Sequence, residues 1–199
     1  MRNGFYSNKE GKMTWDDVPG YFDFQDIYDE MVDTAPIGAT LVEVGTLWGR
    51  SAFYMAEAIS SRRPDLKMYV VDKWEIYQDH GFNPKDNFPV IFERHGSMFE
   101  AFAHYLEKSN LAKYIRVMRM ESTEAAKLFE HVNPYFVFID ANHSYHDCLH
   151  DIMFWDRCIG RGCIIAGHDQ SWDSVKRAIN DYFGCGGYQI RRESWLVKK

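Results

Sequence analysis

The feature of this sequence that most restricts its fold is the alternation of short apolar segments with helical segments. The predicted strands cover residues 40–45, 67–72, 114–120, 135–140 and 163–166, and one or two further short strands are expected within 187–197. Strands joined through helices run parallel, and three of these strands are apolar throughout, as strands covered on both faces are. The sequence therefore predicts a doubly wound α/β fold with helices on both faces of a mostly parallel sheet.

Helical spacing of apolar residues separates the predicted strands. The predicted helices cover residues 24–32, 50–61, 96–109, 122–130, 144–158 and 172–183. Ser122 is expected to cap the fourth of these helices, because a serine hydroxyl can accept a bond from a free N–H group of the first turn.

The sequence has no repeat, no low-complexity tract and no linker, so we expect a single domain over residues 1–199. Residues 1–20 carry glycine, proline and polar groups and predict a loose N-terminal arm. Residues 73–110 form a long aromatic insert, and within it we expect a mobile lid over 75–93. The alternative for this insert is a helix packed on the core.

Composition limits the partners and the compartment. The formal net charge of −6 argues against broad attraction to nucleic acid or to an anionic membrane. No apolar run approaches the ~20 residues of a membrane span, and the first residues lack the apolar stretch of a signal peptide. The cysteines lack close spacing and are expected to be reduced thiols. We therefore expect a cytoplasmic protein with a small-molecule partner. A homo-oligomer stays open, because the aromatic arm can pack on a second subunit.

A turn between the first strand and the next helix carries the main binding signal. Residues 41–51 read LVEVGTLWGRS, so Glu43 precedes a turn bracketed by Gly45 and Gly49. Glycines allow a backbone to approach a ligand closely. Asp72 ends the second strand, where a carboxylate can accept both hydroxyls of a ribose. The turn is not G-x-G-x-x-G, so the dinucleotide fingerprint is missing. The alternative interpretation is a tight strand–helix connection without a ligand.

A second group of chemical side chains follows the fourth and fifth strands. Asp140, His168 and Asp169 lie at these strand ends, and neighbouring strands are ~4.8 Å apart. Two carboxylates and an imidazole suit a hard or borderline divalent cation. The alternative is that Asp140 orients a polar loop and Asp169 caps the following helix.

His143, three residues after Asp140, is a candidate general base, because the pKa of an imidazole lies near the working pH. The alternative is a histidine that caps a helix or orients another group. The acids and histidines farther along are interpreted as a solvated helix face rather than a metal-binding face. They are His146, Asp147, His150 and Asp151.

Four segments together resemble one known family. Residues 42–51, 70–74, 138–145 and 162–169 resemble class I S-adenosylmethionine-dependent methyltransferases, most closely the small-molecule O-methyltransferases that include catechol and macrolide-sugar enzymes. The resemblance spans about 40–185. It implies a seven-stranded, mostly parallel, Rossmann-like sheet and S-adenosylmethionine as cofactor. It further implies O-methylation of a sugar, phenol or polyol hydroxyl, assisted by Mg²⁺ or another divalent cation.

The resemblance also assigns roles in cofactor binding. Glu43, Gly45 and Gly49 would shape the methionine pocket, with Ser51 nearby, and Asp72 would hold the ribose. The segment that would flank the adenine consists of Met120, Glu121, Ser122 and Thr123.

At the reacting end, the resemblance implies that Asp140, which would also contact the cofactor, forms a metal triad with His168 and Asp169. His143 stands where catechol-type enzymes have a catalytic lysine. Two further departures are His168, where that branch has a carboxylate, and Leu47, where many class I enzymes have glycine.

Three other functions stay open at this point. A metal-dependent hydrolase using Asp140, His143, His168 and Asp169 would give Glu43 and Asp72 no role. A nicotinamide-dependent dehydrogenase is disfavoured by the missing third glycine of the turn. A non-catalytic domain that binds S-adenosylmethionine is compatible with the sequence.

Overall fold

The computed structural model describes residues 13–76 and 83–199. Its helices are α1 (Gln25–Thr34), α2 (Arg50–Arg62), α3 (Pro84–Asn87), α4 (Pro89–His95), α5 (Met98–Ser109), α6 (Ser122–Phe129), α7 (Tyr145–Asp156) and α8 (Asp173–Phe183). Its strands are β1 (Thr40–Val44), β2 (Lys67–Asp72), β3 (Ile115–Arg119), β4 (Phe136–Ile139), β5 (Ile164–Gly167), β6 (Gln189–Arg191) and β7 (Ser194–Lys198). A 3-10 turn over Trp15–Asp17 precedes α1.

In the described residues the strands form one seven-stranded sheet in the order β3-β2-β1-β4-β5-β7-β6. The first five strands pair in parallel, whereas β7 is antiparallel to both β5 and β6. The predicted doubly wound, mostly parallel fold is therefore confirmed. The chain leaves β1 in one direction and returns to its other side at β4, so the switch point of the sheet lies between these two strands. Ligands of open parallel sheets bind outside the strand ends at such a point.

Helices cover both faces of the sheet, because alternate residues of each strand point to opposite sides. In β1, Leu41 faces a core built with α1, α2 and α5, whereas Val42 faces a core built with α6, α7 and α8. Large aromatic side chains fill both layers, among them Phe53 on the first face and Trp155 on the second. Burial on both sides explains why the central strands are apolar throughout.

The predicted elements from α5 onward begin and end within two residues of their observed bounds. The predicted cap of α6 is wrong. Ser122 is the first residue of that helix, and its hydroxyl accepts a bond from the Trp155 indole nitrogen at 2.9 Å instead of from the helix backbone. No helix within 13–76 and 83–199 has the length and hydropathy that crossing a membrane requires.

The aromatic insert differs from its prediction. Where a mobile lid was expected over 75–93, the structure has α3 and most of α4. Phe88 and Phe92 pack edge-on against Trp48 at 5.9 and 5.7 Å between ring centroids, and Ile91 is buried. Phe88, Ile91 and Phe92 thus pack on the core, because their side chains find apolar partners there. The remainder of the predicted lid, 77–82, lies outside the described residues.

The N-terminal arm is also more fixed than expected. Val18 is 0% exposed, and Trp15 packs edge-on against Tyr54. Arg50, at the start of α2, donates a hydrogen bond to the Val18 carbonyl oxygen at 2.5 Å. The expectation of a loose arm is therefore wrong for residues 13–20, and its remaining part, 1–12, lies outside the described residues.

Candidate active site

A cavity of about 950 Å³ lies at the carboxyl ends of β1, β2, β4 and β5. The turn after β1 forms its floor, the segment after β3 forms one side, and the loops after β4 and β5 form the other. Residues 19–23 of the N-terminal segment contribute a further wall. The cavity therefore occupies the switch point that the sheet order defines.

The fold itself requires both glycines of the turn after β1. A Cβ atom on Gly45, which has a φ of +80°, would lie 2.1 Å from the Asp140 carbonyl oxygen. On Gly49, with a φ of +96°, it would lie 2.7 Å from the Phe53 ring. Gly45 lines the cavity, but Gly49 faces the core and is absent from the cavity wall. Leu47 has a φ of 52°, in the left-handed region that glycine adopts more readily than other residues.

Asp72 holds this turn in place. Its Oδ2 atom accepts hydrogen bonds from the backbone N–H groups of Thr46 at 2.9 Å and Leu47 at 3.2 Å. Its Oδ1 atom accepts a third from the Trp74 N–H at 2.7 Å. The Trp74 indole then donates to the Leu47 carbonyl oxygen at 2.8 Å. The role of Trp74 was not predicted from the sequence. Its position two residues after Asp72 is the one local feature that could have indicated a contact with this turn.

These contacts limit what Asp72 can offer a ligand. Each carboxylate oxygen accepts about two hydrogen bonds, so one accepting position is left, on Oδ1. Burial raises the pKa of Asp72 above its usual value, and the three backbone bonds oppose that rise. With the turn in this conformation, Asp72 can bind one ribose hydroxyl rather than the two that the sequence suggested.

Glu43 lies beneath the cavity instead of lining it. Its side chain points to the same face of the sheet as Leu41, and the residue is 1% exposed. Its carboxyl accepts hydrogen bonds from the Tyr28 hydroxyl at 2.8 Å and from the Ser51 hydroxyl at 2.9 Å. Burial raises the pKa of Glu43 to about 7, although hydrogen bonds from neighbouring hydroxyls oppose the shift. Glu43 therefore joins β1 to α1 and α2, whereas Ser51 reaches the cavity wall.

The loops after β4 and β5 bring Asp140, His143 and Asp169 together. One possible ligand atom from each lies within 4.8 Å of the other two. The His143 Nε2 atom is 2.7 Å from Oδ2 of Asp169 and 3.7 Å from Oδ1 of Asp140. The His143 ring also packs on Trp172, with centroids 4.7 Å apart. Asp169 adopts a φ of 55°, a conformation uncommon for a residue with a side chain.

His168 has other contacts than the sequence predicted. Its Nε2 atom lies 2.9 Å from Oδ1 of Asp23, and its Nδ1 atom lies 3.3 Å from Oδ2 of Asp169. Burial alone would lower the pKa of His168, but the bonds and charges of Asp169, Asp140 and Asp23 outweigh it and raise the pKa to about 9. The structure thus groups Asp140 and Asp169 with His143, and His168 lies outside that group.

The same histidines act on Asp169. Burial by itself would raise the pKa of its carboxyl, but hydrogen bonds from His143 and His168 hold it well below its usual range. Asp169 is therefore ionised throughout the neutral range, as a carboxylate ligand or a partner for a charged imidazole must be.

The segment after β3 lines the cavity as expected. All four residues of 120–123 contribute to the wall. Glu121 pairs with Lys73 across the cavity edge, with Nζ 2.9 Å from Oε1. From α7, Asp147, His150 and Asp151 also reach the wall. The predicted solvated face of α7 is wrong for Asp151, which is buried.

Comparison with known families identifies the class of this domain. The seven-stranded, mostly parallel sheet is the arrangement implied by the resemblance to class I S-adenosylmethionine-dependent methyltransferases. The chain belongs to the family described as "Methyltransferase domain", which matches residues 42–170, more than half of the sequence. The matched range includes the turn after β1, Asp72 and the acid–imidazole group.

Individual relatives are more distant. The uncharacterized protein y4gI of Sinorhizobium fredii (strain NBRC 101917 / NGR234) is 25% identical over 129 residues, which are 65% of this chain and 13% of that protein. The chain thus spans only a small part of the length of this curated relative.

Solved structures are similar in fold. CalS11, a TDP-rhamnose 3′-O-methyltransferase of calicheamicin biosynthesis, has a TM-score of 0.59 at 12% identity, over 87% of this chain and 76% of that chain. MycE, a methyltransferase of the mycinamycin pathway in complex with Mg and SAH, has a TM-score of 0.56 at 12% identity, over 89% of this chain and 51% of that chain.

Proposed function

We propose that this chain transfers the methyl group of S-adenosylmethionine to a hydroxyl oxygen of a small molecule. One observation carries the proposal: Asp72 and the group formed by Asp140, His143 and Asp169 lie on opposite sides of the Gly45 turn in one cavity. A nucleoside held at Asp72 can reach that group with its other end. A hydrolase would use the acid–imidazole group but would give Asp72 no role in binding a ligand. The match to the methyltransferase family also favours methyl transfer over hydrolysis.

The cavity has the size and lining that the cofactor needs. Its volume of about 950 Å³ is at the upper end of the ~300–1,000 Å³ found for small-molecule sites, so cofactor and acceptor fit together. Gly45 leaves the floor without a side chain, and Asp72 keeps one accepting position for a ribose hydroxyl. S-adenosylmethionine supplies a methyl group on a positively charged sulfur, which the acidic side chains of this cavity favour.

At the acceptor end, His143 is the proposed base. Its Nε2 atom already lies between the carboxylates of Asp169 and Asp140, which stabilise an imidazolium. The bond from the methyl carbon to sulfur breaks as the bond to the acceptor oxygen forms, which leaves S-adenosylhomocysteine. Because the Nε2 atom of His143 donates to Asp169, the proton released by the acceptor hydroxyl goes to the Nδ1 atom of His143. Trp172, whose ring packs against the imidazole at an interplanar angle of 41°, restricts the orientation of that ring. The remaining contribution of the chain is to align the acceptor and to exclude water.

The same three residues are the proposed cation site. Two carboxylates and one imidazole are suitable ligands for Mg²⁺ or another divalent cation, whose charge would make an acceptor hydroxyl more acidic. A proton on the His143 Nε2 atom and a cation would occupy the same place between the carboxylates. His143 therefore acts either as the base or as a ligand, and the two roles make different predictions for metal removal.

The acceptor is proposed to be a sugar or another ring-shaped polyol or phenol. Tyr21, Phe22, Ile76 and Trp172 give the cavity an apolar and aromatic rim, and such faces pack on flat or sugar-like rings. The sugar acceptor named for the similarly folded CalS11 supports the same class. The proposal commits to a hydroxyl oxygen and leaves the individual acceptor to experiment.

The experiment is a methyl-transfer screen with isotopically labelled S-adenosylmethionine. Nucleotide-linked sugars, catechols and cyclic polyols serve as acceptors, and mass spectrometry detects addition of one labelled methyl group. Calorimetry with S-adenosylmethionine and S-adenosylhomocysteine runs in parallel. We expect both ligands to bind and at least one acceptor class to be methylated. Binding without any methylation would support the non-catalytic alternative, and absence of binding would refute the proposal.

A further inference from the structure

Asp151 is a buried acid that the proposed reaction does not use. It lies on α7, one turn before Trp155, and is 6% exposed. Despite this burial, it is part of the cavity wall. A carboxyl group that is removed from water but open to a binding cavity is costly to maintain unless a ligand or a protein group completes its hydrogen bonds.

A hydrogen-bonded chain fixes the position of this carboxyl. The Trp155 indole donates to the Ser122 hydroxyl oxygen at 2.9 Å, so the Ser122 proton is left to point elsewhere. That hydroxyl is hydrogen-bonded to Asp151. The three side chains connect α7 to the first residue of α6. Asp151 is therefore held at the side of the cavity that follows β3, beneath the 120–123 segment.

The order of the strands shows which part of the ligand meets Asp151. Asp72 ends β2, and the group containing His143 follows β4 and β5, with β1 between them. A ligand with its ribose at Asp72 and its sulfur near His143 extends its base in the opposite direction, toward β3. Because adjacent strands are ~4.8 Å apart, the base lies one strand beyond Asp72. Ser122, the first residue of the helix after β3, and Asp151 are both part of the cavity wall.

We propose that Asp151 recognises the adenine of the cofactor by accepting a hydrogen bond from its 6-amino group. The inference rests on the proposed use of S-adenosylmethionine and assigns a specificity-determining residue within that site. Ser122 acts as a positioning residue, because its hydroxyl orients the carboxyl.

The electrostatic environment agrees with this role. Burial raises the pKa of Asp151 to about 7, the bond from Ser122 opposes the rise, and the charges of Asp147 and Glu121 add to it. Near neutral pH the carboxyl can therefore be protonated. A protonated carboxyl offers one donor and one acceptor, which match the N1 atom and the 6-amino group of adenine.

The size of the effect follows from burial. When a ligand analogue lacks the group that would pair with a buried polar side chain, that side chain is left without a hydrogen bond. The analogue then typically binds tenfold or more weakly. We therefore expect the wild-type protein to bind S-adenosylhomocysteine at least about tenfold more tightly than the analogue in which hydrogen replaces the 6-amino group.

The test is calorimetry with these two ligands on three proteins. Asp151→Leu keeps a branched side chain and removes the hydrogen-bonding atoms, and the ratio of the dissociation constants of the two ligands should fall to about one. Asp151→Asn keeps an acceptor and should retain most of the discrimination. Glu124→Gln, which removes an exposed carboxylate on α6 outside the cavity wall, is the matched control and should keep the wild-type ratio.

The outcomes separate the two proposals. If Asp151→Leu weakens both ligands by the same factor, or leaves the ratio unchanged, Asp151 does not read the base, although the proposed function stands. If the wild-type protein binds neither ligand, the proposed function fails and the inference fails with it. Should Asp151→Leu not fold, Asp151→Ser, whose hydroxyl is too short to reach the base, replaces it with the same expected ratio.

Discussion

Gly45 and the carbonyl oxygen of Asp140 are so close that no side chain fits between them. A Cβ atom at position 45 would lie 2.1 Å from that oxygen. The turn that holds the donor end of the proposed ligand is thus in direct contact with the loop that carries the acceptor-end residues. The backbone, and not a side chain, sets the distance between the two halves of the site.

Gly45→Ala is therefore expected to be among the most damaging small substitutions. The new Cβ atom is placed on a residue with a φ of +80° and overlaps the backbone of Asp140. Together the two effects should lower the free energy of unfolding by about 3 kcal/mol or more. Urea denaturation measures the loss. Gly38→Ala is the control, because it has a φ of +71° but no atom within 4 Å, and should cost only about 1 kcal/mol. Equal losses in the two variants would show that conformation alone, and not contact with Asp140, sets the cost.

Trp74→Phe tests how the turn is held. The substitution keeps an aromatic ring and removes the indole N–H that bonds the Leu47 carbonyl oxygen. We expect the unfolding free energy to drop by about 1 kcal/mol and the affinity for S-adenosylhomocysteine to fall several-fold. Calorimetry and denaturation measure the two effects. A large stability loss with unchanged affinity would mean that Trp74 serves the core and not the turn.

Glu43 gives a pH dependence with a defined sign. Its pKa in the folded protein is about 7, above the 4.5 of the free group, so the native state holds more protons between these values. The stability associated with neutral Glu43 is complete below pH 4.5 and is lost as the pH rises through 7. Relative to Glu43→Gln, the wild-type protein should lose about 3 kcal/mol across this window.

Denaturation of both proteins at several pH values measures this difference. Asp65→Asn provides a control of opposite sign. A hydrogen bond from Arg63 and another from the Gly38 N–H lower the pKa of Asp65 to about 2. Its contribution is present above pH 3.8 and disappears only as the pH falls toward 2. A flat difference between wild type and Glu43→Gln from pH 4 to 8 would contradict the burial argument.

His143→Ala should reduce the maximal rate of methyl transfer by about 10²–10⁴-fold, as loss of a general base does, with little change in cofactor binding. His146→Ala is the matched control, because His146 lies three residues farther along and is exposed. Steady-state kinetics with a saturating acceptor measure the rates. Retention of full activity in His143→Ala would eliminate His143 as the base.

Metal removal tests the cation site. Titration of Mn²⁺ or Mg²⁺ into chelator-treated protein should show binding that Asp169→Asn weakens by about tenfold or more. His143→Ala should weaken it too if His143 is a ligand. His168→Gln should weaken it less than Asp169→Asn does, because His168 lies outside the group of possible ligands and acts only through its contact with Asp169. Loss of binding in His168→Gln but not in His143→Ala would restore the triad that the sequence suggested.

The positions of the strands, and the sides to which their residues point, could be predicted from the sequence. The apolar character of residues 40–45 predicted β1, and the two-residue period of a strand also predicts the side to which Glu43 points. Leu41 and Glu43 are two residues apart, so both side chains point to the face covered by α1 and α2. The position of Glu43 beneath the cavity was thus predictable, but its partner Tyr28 was not, because nothing local in the sequence marks that long-range contact.

The acid–imidazole group shows where sequence reasoning stops. Strand ends correctly suggested that Asp140, His143, His168 and Asp169 are neighbours. Which histidine turns toward the carboxylates depends on the φ of 55° at Asp169 and on Asp23, which occupies the Nε2 atom of His168. Both are consequences of tertiary packing, so spacing along the chain could not distinguish His143 from His168.

The wall formed by residues 19–23 joins distant parts of the chain. Asp23 contacts His168 through its side chain, and its carbonyl oxygen accepts a hydrogen bond from Arg192 at 2.6 Å. Arg192 belongs to the turn between the last two strands. The wall of the pocket therefore depends on contact between the segment before the first strand and the final hairpin. A ligand that binds against this wall stabilises both segments at once and lowers the local opening of each.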